Sequence, residues 1–211
     1  MFPNLQLEIL DRFTAVEQFF RKSPKTGDLG QIAKGLVFVQ IYAAYEHTVR
    51  ASVGLAIAEI TANRHLYSDL RAPLLAIFLD PQLKALRECP ESSLWANRLE
   101  LFKKSLSNSP ITAVATIPHD GSHFRHTQAN IVLKSLGINR KLTLRRHQPY
   151  RLDEVVGYRN AIAHGSETAQ NVGRQFSRKE IWKRIRLMKR VCLRIVAITS
   201  EHCSMPDRHC R

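Results

Sequence analysis

Between Gly35 and Ile60 the chain is apolar on almost every face that a helix could present, with Glu46, His47 and Arg50 at its centre. A helix without a polar face must be surrounded, either by other helices or by lipid. The central charges decide between the two, because each would cost about 2.5–3.5 kcal/mol at mid-bilayer. The stretch therefore reads as a buried core helix, running from about Asp28, a plausible N-cap, to Arg64. Such a helix requires the rest of the chain to wrap it, and 211 residues suffice for one domain with a sizeable core.

Helical periodicity recurs along most of the remaining sequence. Leu7, Leu10, Phe13, Val16, Phe19 and Phe20 mark a helix over Leu5–Arg21, stopped by Ser23-Pro24. Short helices are expected over Leu70–Phe78 and over Pro81–Arg87, the latter capped by Asp80 with proline in the favoured first position. Ser92–Leu106 reads as an amphipathic helix on Leu94, Trp95, Leu99, Leu101 and Phe102. Ser107–His123, with two prolines and an Asp-Gly pair, reads as a loop or insertion. Helix resumes over Arg125–Leu136, ending at Gly137, and over Leu152–His164, ending at Gly165. A last helix runs from Arg178 to about Ser200, with Ser177 as N-cap. No segment alternates with period two. The expected fold is all-α: a helical bundle with a long central helix and peripheral short ones, one domain over 1–200, with 201–211 as a flexible tail.

Thirty-two Lys and Arg against 18 Asp and Glu leave a formal charge of +14, which favours a polyanionic partner without separating RNA from DNA. Two places gather the surplus. The connector Ile138–Tyr150 carries Arg140, Lys141, Arg145 and Arg146 with no acid. On the last helix, Ile181, Ile185, Met188, Cys192 and Ile195 form an apolar seam, while Lys179, Lys183, Arg186, Arg190 and Arg194 line another face. That basic stripe reads either as a solvated outer face or as a surface that tracks phosphates. Four scattered cysteines (Cys89, Cys192, Cys203, Cys210) make no disulfide framework, and the start MFPNLQLEILDRF lacks the basic and apolar regions of a signal peptide. A cytoplasmic, membrane-free protein is expected. His119, His123 and His126, with only Asp120 nearby, and Cys203, His209 and Cys210 fall short of a metal-ligand pattern, so no metal and no cofactor is expected.

The sharpest local pattern is L-D-E-V-V-G-Y-R-N-A-I-A-H-G, Leu152 to Gly165, in which four residues separate Arg159 from His164 and Asn160 follows the arginine. These letters also describe an ordinary helix end, with histidine in the last turn and glycine just past it. On this motif the chain resembles the HEPN superfamily of ribonucleases, whose signature is R-N-x-x-x-H. The stretch H-T-Q-A-N-I-V-L-K-S-L-G-I (His126–Ile138), the basic connector after it, and Y-A-A-Y-E-H (Tyr42–His47) are similar to the RiboL-PSP-HEPN branch. The resemblance spans most of the chain, although only Arg159–Gly165 is specific and the tail beyond about Ser200 has no counterpart.

The resemblance implies a metal-independent endoribonuclease, the toxin of a toxin–antitoxin or phage-defence system, restrained by a cognate antitoxin protein. The residue types suit that chemistry. A histidine, with an ordinary pKa of about 6.5, can exchange a proton with a ribose 2′-hydroxyl. Arginine can hold and neutralise a phosphate, and asparagine can orient either. Arg159, Asn160 and His164 are thus the expected catalytic residues. Glu46 and Arg50 read as an i, i+4 ion pair, and Glu46 or His47 as either site support or a satisfied core group. Tyr158 and Asn130 are further candidates for site support, Asn130 on resemblance only. Arg159 and His164 stand about 140° apart around an ideal helix and about 7.5 Å apart along it. HEPN ribonucleases are expected to act as homodimers with a composite site, which would fill that offset. The alternatives are a non-catalytic HEPN-like module that binds RNA or protein, and a basic helical DNA-binding protein without a recognisable helix-turn-helix.

Overall fold

A computed structural model describes residues 1–112, 118, 123–143 and 145–210. Among the described residues the regular structure is helical: α1 (Phe2–Lys22), α2 (Gly27–Ala62), α3 (Ala72–Phe78), α4 (Asp80–Glu88), α5 (Leu94–Ser105), α6 (His126–Ser135), α7 (Gln148–Ala163), α8 (Ala169–Arg174) and α9 (Arg178–Cys203). Three single turns of 3-10 helix and two isolated bridges, Leu66–Pro110 and Leu70–Cys210, complete it. The all-α expectation holds, with a 36-residue α2 as the longest element.

The chain clusters into two compact units. The first comprises Met1–Ser52, Gly121–Asn130 and Lys141–Ala197. The second comprises Val53–Asp120, Ile131–Arg140 and Ile198–Arg211.

In the first unit the encircling apolar pattern of α2 has its physical counterpart in Val37, Phe38, Ile41, Tyr42, Tyr45 and Val49, all buried. Phe13 and Phe20 of α1, Leu152, Val155 and Val156 of α7, and the predicted seam Ile181, Ile185, Met188, Cys192 and Ile195 of α9 are buried with them. Ion pairs tie these four helices to one another. Glu8 of α1 meets His47 of α2 at 2.9 Å, Glu17 of α1 meets Lys189 of α9 at 3.1 Å, and Glu154 of α7 meets Arg184 of α9 at 2.7 Å. Ser23 ends α1 as expected, and Arg178 closes that end from α9, donating to the carbonyls of Phe20 and Pro24 while its guanidinium lies 4.2 Å from the Phe20 ring.

α8 is a six-residue helix that the periodicity missed. It is opened by Thr168, whose hydroxyl accepts from Asn171 N at 3.1 Å. Two glycines let its backbone touch that of α2. A Cβ on Gly35 would stand 1.9 Å from the Ala169 carbonyl oxygen, and one on Gly173 would stand 1.8 Å from that of Gln31.

In the second unit, Tyr67, Leu70, Leu74, Ile77 and Phe78 are buried together with Ile60 from the end of α2. The C-terminal segment corrects the expectation of a free tail. α9 continues to Cys203, His209 is fully buried, and the His209 carbonyl accepts from Arg71 N at 3.0 Å. The His209 ring lies 3.2 Å from His65 Nε2, and the Cys210 sulfur 3.3 Å from His65 Nδ1. Rings and a thiol bury more readily than the charged residues around them, and that seats the segment. α5 departs from expectation the other way: Trp95, Leu99 and Phe102 are 75%, 55% and 63% exposed, so its apolar stripe covers no core.

Candidate active site

α7 starts at Gln148 with proline in its first turn and stops at Ala163. His164 is the C-cap, its backbone N–H bonded to Asn160 O at 2.9 Å, and Gly165 follows at φ 73°, the left-handed conformation that glycine adopts without strain. Arg159 and Asn160 therefore stand in the last turn, and an exposed His164 stands at its mouth.

Arg159 is held from four sides. Its Nη1 donates to Asn160 Oδ1 at 2.9 Å and to His123 Nδ1 at 3.3 Å, and its Nη2 donates to Glu46 Oε2 at 3.4 Å. The guanidinium carbon lies 4.1 Å from the centre of the Tyr42 ring, within cation–π range. Glu46 also takes Arg50, at 3.2 Å, so one carboxylate anchors two guanidinium groups. Burial pushes the Tyr42 hydroxyl above its ordinary pKa, with the Glu46 charge adding to it, so that ring stays neutral beneath the guanidinium. Asn160 thus contacts Arg159, and of the neighbours Glu46 and His47 it is Glu46 that reaches the same guanidinium.

In the sequence His123 figures only in a histidine cluster that falls short of a metal-ligand pattern. It lies 36 residues from Arg159 along the chain, in the segment that leads into α6, yet its ring contacts the guanidinium. It stands 6.2 Å centre-to-centre from both Tyr42 and His164. Because arginine can only donate, His123 Nδ1 presents its lone pair, which means a neutral ring with the proton on Nε2. The pKa of His123 is lowered first by burial, then by the Arg159 cation, with His164 and Arg125 acting the same way and Glu46 opposing. No pattern in the sequence links residues 123 and 159, so only the fold brings His123 to the site.

The other support candidates have other partners. His47 follows Glu46 and so turns about 100° away around α2, toward Glu8 of α1. Tyr158 sits between the rings of Phe38 and Phe176, each 5.3 Å away, and donates to Gln175 Oε1 at 2.9 Å, holding α7 to the segment after α8. Asn130 bonds to His126 O at 2.8 Å, one turn back on α6. The start of α6 is in turn fixed to α7, where Asp153 Oδ1 accepts from His126 N at 2.6 Å. His119 and Asp120 lie outside the described residues. Among the described residues no group of three or more His, Cys, Asp or Glu side chains could hold a metal ion.

Two of the expected basic segments converge in the first unit. Lys141, Arg145 and Arg146 line a cleft of about 400 Å³ beside His126 and Asn130. Arg145 also borders a second cleft of about 320 Å³, at the start of α7, whose walls carry Arg151, Lys183, Arg186 and Arg190 and, among the described residues, no acid. Arg151 was missed in the sequence. Lys179 is exposed, and Arg194 donates to the Lys141 carbonyl at 2.8 Å. Arg140 belongs to the second unit and is held in a two-pronged pair with Glu201, at 2.7 and 2.5 Å.

Among the described residues the regular structure is all-helical, as in a HEPN-type domain. The family model for RiboL-PSP-HEPN matches residues 7–201, and the chain belongs to that family. No curated protein and no solved structure matches it. Among the described residues no helix is long and apolar enough to cross a membrane.

Proposed function

We propose that this protein is a metal-independent endoribonuclease that cleaves RNA by attack of the 2′-hydroxyl on the adjacent phosphate. The observation that carries the reading is Arg159, set between Glu46, Asn160 and the Tyr42 ring and touching His123, whose ring stands 6.2 Å from that of His164. Held this way the guanidinium stands at the site before substrate arrives, poised to stabilise the charge that develops on phosphorus oxygens. His164, exposed at the helix mouth, exchanges protons with the ribose or the leaving oxygen. The product carries a 2′,3′-cyclic phosphate. DNA, lacking the 2′-hydroxyl, is not cut.

In the cell the activity fits a cytoplasmic toxin of a toxin–antitoxin or phage-defence system, neutralised by a cognate antitoxin protein and acting as a homodimer. We further propose that residues 1–200 work as one HEPN-like domain. The basic clefts beside α6 and at the start of α7 hold the RNA backbone.

The test is incubation of the wild-type protein and of His164→Ala with total RNA in EDTA. The reading predicts cleavage by the wild type alone, leaving cyclic-phosphate ends. RNA that both proteins bind and neither cuts would replace the enzyme with a non-catalytic RNA-binding module.

A further inference from the structure

Transesterification at phosphorus moves two protons, one off the 2′-hydroxyl and one onto the departing 5′-oxygen, and two separate groups do this best. The end of α7 offers one histidine. His123 reaches the same place from the segment before α6, with Nδ1 3.3 Å from Arg159 Nη1 and its ring 6.2 Å from that of His164. Two imidazoles at that separation can each hydrogen-bond, at about 2.8 Å, a different oxygen of one phosphodiester, with Arg159 beside them.

We propose that His123 is the general base of the reaction and His164 its general acid, so that one chain carries both proton-transfer groups. The inference rests on the ribonuclease reading above. Before substrate binds, Arg159 donates to His123 Nδ1 and keeps a lone pair on that atom. A phosphodiester draws the guanidinium onto its own oxygens and frees Nδ1 to take the proton from the 2′-hydroxyl. The 2′-oxygen bonds to phosphorus, the bond from phosphorus to the 5′-oxygen breaks, and that oxygen takes a proton from the protonated His164 ring. The products are a 2′,3′-cyclic phosphate and a 5′-hydroxyl, and water restores the proton from His123 to His164.

The surroundings suit the two roles. Burial and the neighbouring Arg159, His164 and Arg125 hold His123 neutral at lower pH than an ordinary histidine, against the opposing Glu46 carboxylate. His164 is exposed, where it can recover a proton from solvent.

The decisive comparison is between His123→Asn, His123→Ala and His164→Ala on two substrates. One is an ordinary oligoribonucleotide. The other has sulfur in place of the 5′-oxygen at the cleavage site, a leaving group that departs without a proton. Asparagine at 123 can still accept from Arg159 but cannot take up a proton, so it separates holding the arginine from catalysis; melting curves confirm that each variant folds. The expected result is a loss of about 10²–10⁴-fold in single-turnover rate for both His123 variants on both substrates, whereas sulfur restores His164→Ala. The wild-type rate should rise with pH at lower pH than about 6.5, and that limb should vanish in His123→Asn. Mixing His123→Ala with His164→Ala should not restore activity. A His123→Asn rate within threefold of wild type would reduce His123 to a brace for Arg159, and sulfur rescue of the His123 variants would exchange the two roles. Either result overturns the proposal while wild-type cleavage leaves the ribonuclease reading standing. A wild type that cuts no RNA overturns both.

Discussion

Replacing Gly173 by alanine tests the closest helix contact in the first unit. The added methyl would stand 1.8 Å from the Gln31 carbonyl oxygen and 2.9 Å from Gly35 N, both backbone atoms that no rotamer change can move. Carbon contacts settle at about 3.5–4.0 Å, so α8 must withdraw from α2 by more than an ångström or the residue must be expelled. Overpacking of this kind costs about 1–3 kcal/mol, and a backbone-to-backbone clash belongs at the upper end. In a chain of this size each kcal/mol lowers Tm by about 2–4 °C, which gives a drop of roughly 6–12 °C in a calorimetric or circular-dichroism melt. RNA cleavage should fall with it, because Gln175, the C-cap of α8, holds Tyr158 one residue before Arg159. Gly157→Ala, on α7 with no atom within 4 Å of the new methyl, is the control. At an open helical site the same change gains about 1 kcal/mol, so the two substitutions should move Tm in opposite directions. The double variant Gly35→Ala/Gly173→Ala should lose less than the sum, since one separation relieves both clashes. If Gly173→Ala melts within 2 °C of wild type, the α2–α8 contact is not the tight one described.

Three other outcomes follow from the structure. The pKa of His209, fully buried, is pushed down to about 4 by burial and by the neighbouring His202 and His65, and those of His126 and His202 shift the same way. The folded state therefore binds fewer protons than the unfolded one, and stability present above about pH 6.5 is lost as pH falls toward 4. His209 alone should cost about 2 kcal/mol by pH 5, read as a lower urea midpoint; an unchanged midpoint between pH 7.5 and 5 would refute it. Arg159→Lys keeps the charge but loses the planar fork shared among Asn160, His123 and Glu46, and should cut the cleavage rate by about 10²–10³-fold with little change in Tm. Lys183→Gln and Arg186→Gln, in the basic cleft at the start of α7, should each weaken RNA binding and reduce the salt slope by about one, a prediction that fails if the slope is unchanged.

The elements most legible in the sequence were those whose pattern is set by their own burial. α2 declared itself by an apolar surface that only a surrounded helix tolerates, and α9 by a seam whose five positions are all buried. Gly165 marked the end of α7 because its φ of 73° favours glycine. What escaped depends on contacts between distant segments. α8 is too short and polar to show a period, and the feature that fixes it, two glycines meeting a facing backbone, leaves no hydrophobic trace. The C-terminal segment looked free because its short run of polar letters hides a histidine and a cysteine, His209 and Cys210, that both find His65 more than a hundred residues away. At the site, adjacency misled: Glu46 and His47 are neighbours in sequence but point to different helices, while Arg159 and His123 touch across 36 residues.

The bond from Asp153 to the backbone of His126 has a consequence for how this site can change through descent. It joins the helix that carries Arg159 to the segment that carries His123, and its donor is a main-chain N–H that almost any residue at position 126 would present. The constraint is therefore one-sided. Drift at 126 leaves the joint intact, whereas loss of a short acceptor at 153 removes a contact that, beside that of Arg159 with His123, fastens the segment to α7. A lineage that gives up cleavage is free to lose Asp153 without touching either histidine, and that single position would record the change.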